Sequence, residues 1–466
     1  MSSKTSKDLE GFDVIVDPVS TNPPPVKDGG LRAWCTLIGA TLTLTCTFGY
    51  VNAFGVYQDL YTREHAASAS RISWIGGTQL FLLIGMGIVA GKLLDLGYFR
   101  QTTFVGSVIF TFSLFMLSLA HPDQFYQIFL SQGLGMGIGS GLLYVPVMAI
   151  QAHHWNKTPP SGHGDCHLSK SCAGSAIGGI FFPIMLDQLF HGETGYAWGV
   201  RASAFIVLAL LALANVLMTT DPAMSAYQKP KPDIKGFLRD GPYILLILGY
   251  ERSSHSCMMM LTVVPTRQVT SVSHGRVLSL YEFLYSTSRS GAKISLDFYL
   301  QLFAILHGVN PTFSFYTLAI MNGSSIPGRI LPNIFANRLG GFNLLISSCV
   351  ACSALIFALY GVDATGGTTA FAILYGFFSG AWLSLLSPAV ASLSQDQGEI
   401  GVRLGLAFFL ASPGALVGAP INGYLLGETF DWSKTILFSA IIILGGTALL
   451  LLARMLLARR KGTPFV

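Results

Sequence analysis

Apolar runs of about 20 residues recur along the chain from Trp34 to Leu457, and each is long enough to cross roughly 30 Å of hydrocarbon as a helix. Lipid offers no water to the peptide groups, so each run must close its own backbone hydrogen bonds. The runs lack the strict alternation of membrane strands, which excludes a β-barrel. Of 466 residues only 11% are charged and 51% are hydrophobic, against about 25% charged in a soluble domain. The formal net charge of +5 is spread in short clusters between apolar runs, not in the single patch a nucleic-acid binder needs. The fold class is therefore all-α and polytopic.

Spans follow from hydropathy. Helix 1 is expected at about Trp34 to Tyr57, helix 2 at Ser73 to Leu94, helix 3 at Thr102 to Leu119, helix 4 at Phe125 to Ile150, helix 5 at Ser171 to Phe190 and helix 6 at Trp198 to Met218. A polar stretch with Lys229, Lys231, Lys235 and Arg239 then reads as a linker. Helix 8 is expected at about Phe313 to Phe335, helix 9 at Phe342 to Tyr360, helix 10 at Thr368 to Leu393, helix 11 at Val402 to Leu426 and helix 12 at Ser433 to Leu457. Helix 7 is interrupted: the apolar run after Pro242 stops near Tyr250 and resumes only at Phe298 to Leu306, and neither piece spans alone.

The expected organisation is a polar tail over 1–33, a six-helix bundle over 34–218, a linker over 219–241, a second bundle over 242–457 with an atypical insert at 251–296, and a tail over 458–466. The first tail lacks an apolar signal core, so helix 1 is expected to direct insertion. With both termini cytoplasmic, 18 Lys and Arg fall inside and four outside, namely Arg63, Arg71, Arg201 and Lys434, which orients the chain by the positive-inside rule. A plasma-membrane location is expected. The compositions near 156–170 and 250–296 are foreign to their surroundings, as a translated intron or shifted frame would make them.

The string GKLLDLGYFR carries Gly91, Asp95, Gly97 and Arg100 between helices 2 and 3. It resembles, shortened by one residue, the loop motif of the major facilitator superfamily. The echo between helices 8 and 9 keeps Arg338 and Gly340 but has Asn337 at the usual acidic position. The resemblance implies a loop that holds the inner face closed. DGGLRAW from Asp28, NAFGVYQ from Asn52, AGSAIGGIFFP from Ala173 and GRILPN from Gly328 are further similar to the monocarboxylate porter family, especially its fungal branch. That resemblance implies two six-helix bundles around a central cavity, with alternating access. The Lys and Asp of animal members are replaced by Phe54 and Ser325, and the basic run after Trp155 is missing, so lactate–proton coupling does not carry over.

Arg329 is the chief candidate, because a guanidinium inside a helix bundle is costly unless it faces a cavity or a partner. The family's anion-contacting Arg falls there, and snorkelling to the inner interface is the competing reading. Asn322, two turns earlier, either lines the same cavity or bonds between helices. Asn52 and Tyr50 on helix 1, and Gln132 and Tyr144 on helix 4, are further polar positions; Asn52 and Tyr144 join the cavity set. Asp187 is expected to pair with Arg201 at the outer end of helix 5. Gly133, Gly137 and Gly141 form a small-x-x-x-small stripe on helix 4.

Cys349-x-x-Cys352 lies in an apolar run and reads as packing. The His and Cys residues between His153 and Cys172 match no zinc spacing. No metal, cofactor or catalytic residue is expected. The partners are the lipid bilayer and a small organic solute, with proton coupling open. The function expected is secondary transport of a carboxylate or secondary metabolite. Efflux for a biosynthetic pathway, or a degenerate non-transporting member, are the alternatives.

Overall fold

The computed structural model describes residues 29–64, 69–154, 164–220, 234–259, 310–362, 364–393, 400–426 and 432–464, with no strand among them. Nine helices among the described residues are long and apolar enough to cross a membrane.

Helix 1 is built from Leu31–Cys46, Phe48–Val51 and Phe54–Arg63. It breaks around Asn52 and Ala53, where the ladder tightens to i,i+3 bonds, Ala53 N to Tyr50 O at 2.9 Å and Val56 N to Ala53 O at 3.0 Å. Helix 2 comprises Ala69–Gly85 and Gly87–Asp95, and helix 3 is Phe99–Leu119. Helix 4 opens with Phe125–Ile128, passes through a π-helical segment Phe129–Met136 and continues as Gly137–Ala149. Helix 5 is Gly164–His191 and helix 6 is Gly195–Leu217. A short helix Ile234–Phe237 closes the linker.

The glycines of helix 4 serve two neighbours. A side chain at Gly133, Gly137 or Gly141 would meet helix 2, at Ile75, Leu82 and Met86 respectively. Gly135 and Gly139 instead face helix 3, at Ser113 and Phe110. The alternation in the sequence is thus two stripes of close packing interleaved on one helix, each spaced by four.

Helix 7 runs over Gly241–Met259, past the boundary expected at Tyr250, and carries Glu251 and Arg252 in its last turns. Its 19 residues reach about 28 Å at 1.5 Å per residue, but its polar end keeps it out of the apolar set. It lies in place in the second bundle: Gly249 and Gly446 of helix 12 pack backbone to backbone, a Cβ at either falling within 2.7 Å of the other's carbonyl oxygen. The rest of the atypical insert lies outside the described residues, as does 155–163; helix 5 already begins at Gly164.

Helix 8 is Pro311–Leu339, helix 9 Gly341–Ala358, helix 10 Thr365–Leu393, helix 11 Ile400–Leu426 and helix 12 Trp432–Lys461. The two halves meet along two antiparallel helix pairs. Helices 2 and 11 touch from Gly77, facing Leu416 O, to Gly87, facing Gly405. Helices 5 and 8 touch from Gly179, beside Asn322, to Cys172, beside Arg329.

Candidate functional site

Arg329 is 2% exposed and crosses from the second half to the first. Its Nη1 donates to Cys172 O at 2.5 Å and to Ser175 Oγ, both on helix 5. Ser175 Oγ also donates to Cys172 O, at 2.8 Å, so the guanidinium joins a local side-chain-to-backbone bond already made on helix 5. Snorkelling is not how this guanidinium is accommodated: it is buried against protein.

Two turns along the same helix pair, Asn322 Nδ2 donates to Gly179 O at 3.3 Å. A Cβ on Gly179 would lie 2.8 Å from Asn52 Nδ2 and 3.0 Å from Asn322 Oδ1. Gly179 therefore lets two amides, one from each half, converge over its backbone. Asn52 reaches this point from the break in helix 1. Discontinuous helices commonly mark the centre of a transporter, since freed backbone groups are tolerated only beside a cavity or protein.

Tyr144 packs among rings. Its ring stacks on Phe48 at 5.9 Å and meets Phe408 of helix 11 edge-on at 5.6 Å. These residues, with Ile84, Tyr250, Leu383 and Ala411, line a cleft between the halves. The cleft has room for about one water molecule. Tyr250 of helix 7 is fixed by a parallel stack on Trp382, 4.4 Å between centroids at 9°. The structure thus joins Asn52 with Asn322 over Gly179, while Arg329 bonds to helix 5 and Tyr144 lines the aromatic cleft.

Gln132 is turned away from this centre. It accepts from Tyr61 Oη at 2.9 Å. A separate buried hydroxyl chain joins Tyr57, Tyr50 and Ser203, with Tyr50 Oη 2.5 Å from Tyr57 Oη and 2.9 Å from Ser203 Oγ; the two groups touch where the Tyr57 and Tyr61 rings pack at 5.9 Å. The spacing of Tyr50, Tyr57 and Tyr61, seven and four apart on helix 1, was a legible helical stripe that sequence reading left unused.

The loop residues form two matching helix ends. After helix 2, Gly97 has φ +84°, with Tyr98 N bonded to Leu93 O and Gly97 N to Leu94 O, both at 2.9 Å, a Schellman cap. After helix 8, Gly340 has φ +88° and bonds to Ala336 O at 2.9 Å, the simpler left-handed cap. Arg100 and Arg338 are exposed and Gly91 is buried. The side chains of Asp95 and Asn337 lie outside the described residues.

Asp187 and Arg201 take other partners. Asp187 Oδ1 is 3.1 Å from His191 Nδ1, one turn along helix 5. The Arg201 guanidinium sits 5.1 Å over the Trp198 ring. An i,i+4 partner on the same helix costs little ordering entropy, and a flanking Trp offers Arg a local face, so each residue has a partner on its own helix.

Sequence reading also passed over the end of the second half where helix 7 begins. Asp240, just before helix 7, is 3.3 Å from Arg403 of helix 11 and 3.4 Å from Arg460 of helix 12. Arg403 also lies 4.3 Å over Phe237 in the linker helix. His154 Nε2 lies 2.6 Å from Thr219 O, whereas most of the His and Cys residues around it lie outside the described side chains. Cys349 and Cys352 are buried free thiols.

Two helix bundles meeting along paired helices, with buried polar groups and an aromatic cleft between them, are the architecture of a multi-pass membrane protein. The chain belongs to the Major Facilitator Superfamily, whose model matches residues 38–412. The aspyridones efflux protein apdF of Emericella nidulans is 32% identical over 445 residues, covering 95% of this chain and 82% of that protein. The MFS transporter asaE of Aspergillus flavus is 33% identical, covering 93% and 89%. The agnestins efflux protein AgnL12 of Paecilomyces divaricatus is 31% identical, covering 98% of each chain. Among solved structures, the fold is similar to that of the transporter FucP in its outward conformation, with a TM-score of 0.61 at 13% identity, covering 90% of this chain and 98% of that one. The sequence resemblance to the superfamily is thereby established. Its narrowing to monocarboxylate porters is not what the relatives' names carry.

Proposed function

We propose that this transporter exports a small organic secondary metabolite by rocking its two halves about a central cleft, across the plasma membrane, with both termini cytoplasmic. The observation that carries the reading is the seam between the halves. Helix 8 reaches helix 5 through the hydrogen bonds of Arg329 and Asn322, and helix 2 meets helix 11 at glycines, so the seam is built of close backbone approaches and single hydrogen bonds that can break and remake. The names of the similar fungal efflux proteins support the direction and the solute class.

Asn52, Tyr144, Asn322 and Arg329 form the central set. Gly97 and Gly340 end helices 2 and 8 so that Arg100 and Arg338 lie at the inner face, as a closing loop requires. Asp187 with His191 is a proton-accepting pair near the outer end of helix 5, which supplies a route to proton coupling. A carboxylate on the solute is compatible with Arg329, as a monocarboxylate-porter-like ancestry implies. Solute counterflow in proteoliposomes with labelled lactate, benzoate and 2-naphthoate tests transport itself; exchange of none of them above protein-free vesicles would reject it for these classes.

A further inference from the structure

Resting on that transport reading, we infer that the solute is a flat aromatic molecule held between ring walls contributed by both halves. The cleft between the halves is lined by four aromatic side chains, Phe48, Tyr144, Tyr250 and Phe408, with aliphatic residues completing it and no charged side chain among the lining. Two of the rings belong to the first half and two to the second.

The geometry is that of a ring clamp closed on itself. Phe48 and Tyr144 are stacked, with 28° between their planes, and form one wall. Tyr250 forms the other, its plane fixed by Trp382 at 9°. Phe408 closes across the seam against Tyr144 at 66°. Tyr144 of helix 4 and Phe408 of helix 11 belong to different halves, so the Tyr144–Phe408 contact is lost in the state that opens the halves at this level. A flat π-system entering the gap restores face and edge contacts to both walls, whereas a small aliphatic acid restores neither. Trp382 is 1% exposed and its indole Nε1 has no hydrogen-bond partner among the described residues, which places a donor behind the Tyr250 wall. A buried donor of this kind is costly unless some state of the protein satisfies it.

The alternative occupants differ in ring character alone, so a matched pair of probes separates them. Equilibrium binding of 2-naphthoate and decahydro-2-naphthoate to the full-length protein in nanodiscs compares the same carbon skeleton and the same carboxylate, flat in one and puckered in the other. The expected result is 2-naphthoate bound ~10-fold tighter, as one or two ring contacts give. Tyr144→Leu and Phe408→Leu should each erase most of that preference, and Phe408→Tyr should keep it. Equal affinities, tighter binding of the saturated acid, or binding of neither while lactate counterflow persists, would overturn the inference. Binding of 2-naphthoate with the expected preference but no counterflow of any solute would reject transport and leave the ring clamp standing.

Discussion

Arg329 of helix 8 donates to the carbonyl of Cys172 on helix 5 at 2.5 Å, so the most deeply buried cation described in the second half is bonded to the backbone of the first. That bond, with the one to Ser175, must break whenever helices 5 and 8 part.

Arg329→Ala should therefore loosen the seam. Hydrogen bonds from a charged donor contribute about 1.5–3 kcal/mol each. Labelling of Cys172, a buried free thiol, by a maleimide should accelerate about 10-fold or more in a variant that keeps it as the sole cysteine. Arg329→Lys should fall between, since a flexible ammonium keeps the charge but not the fixed planar geometry that holds Nη1 on both acceptors. Unchanged labelling in Arg329→Ala would show that the bond does not hold the halves together.

The crossing of helices 1 and 5 depends on the absence of side chains. A Cβ on Gly49 would lie 2.6 Å from Gly178 Cα, while Gly445 on helix 12 has open space around it. Gly49→Val should lower stability by about 1–3 kcal/mol or prevent folding, and Gly445→Ala should leave the thermal midpoint in detergent unchanged or slightly raised. Equal midpoints for the two variants would contradict the packing described.

Asp240 ties the start of helix 7 to helices 11 and 12 through Arg403 and Arg460. Asp240→Asn leaves the nearly buried Arg403 with the Phe237 and Tyr243 rings but without its carboxylate. A loss of about 2 kcal/mol is expected, with faster protease cleavage in the linker before Ile234. Restoration by Asp240→Glu would support a charge role. Cleavage at the wild-type rate in Asp240→Asn would remove it.

Tyr57→Phe tests the hydroxyl chain in the first half. It removes the 2.5 Å contact to Tyr50 while keeping the ring packing on Phe190 and Tyr196. Stability should fall by about 0.5–1.5 kcal/mol and 2-naphthoate affinity should not change, because this chain lies apart from the cleft. A change in affinity without a change in stability would place Tyr57 in the solute path.

The membrane class, the two bundles and most span boundaries were legible because apolar length alone decides what crosses a bilayer. Arg329 was legible as a costly buried charge, and Asn322 as its neighbour two turns away. What the guanidinium bonds to was not, because the Cys172 carbonyl belongs to backbone that side-chain chemistry does not advertise. Asp187 and Arg201 were read as partners from opposite charge at one membrane face, yet His191 and Trp198 were nearer in sequence and sufficed. The aromatic cleft was invisible because Phe48, Tyr250 and Phe408 each look like ordinary core residues until the halves are brought together. Helix 7 runs past its apolar run because Ser253, beyond Tyr250, still packs on Gly446 of helix 12, a contact that hydropathy does not register.

The central claim is that the two halves must part along helices 2 and 11 for solute to cross. A Cβ on Gly87 would lie 3.7 Å from Gly405 Cα, close enough for a disulfide between Gly87→Cys and Gly405→Cys. In proteoliposomes bearing this double variant without other cysteines, oxidation should stop 2-naphthoate counterflow and reduction should restore it. Counterflow at an undiminished rate in the fully crosslinked protein would contradict the account.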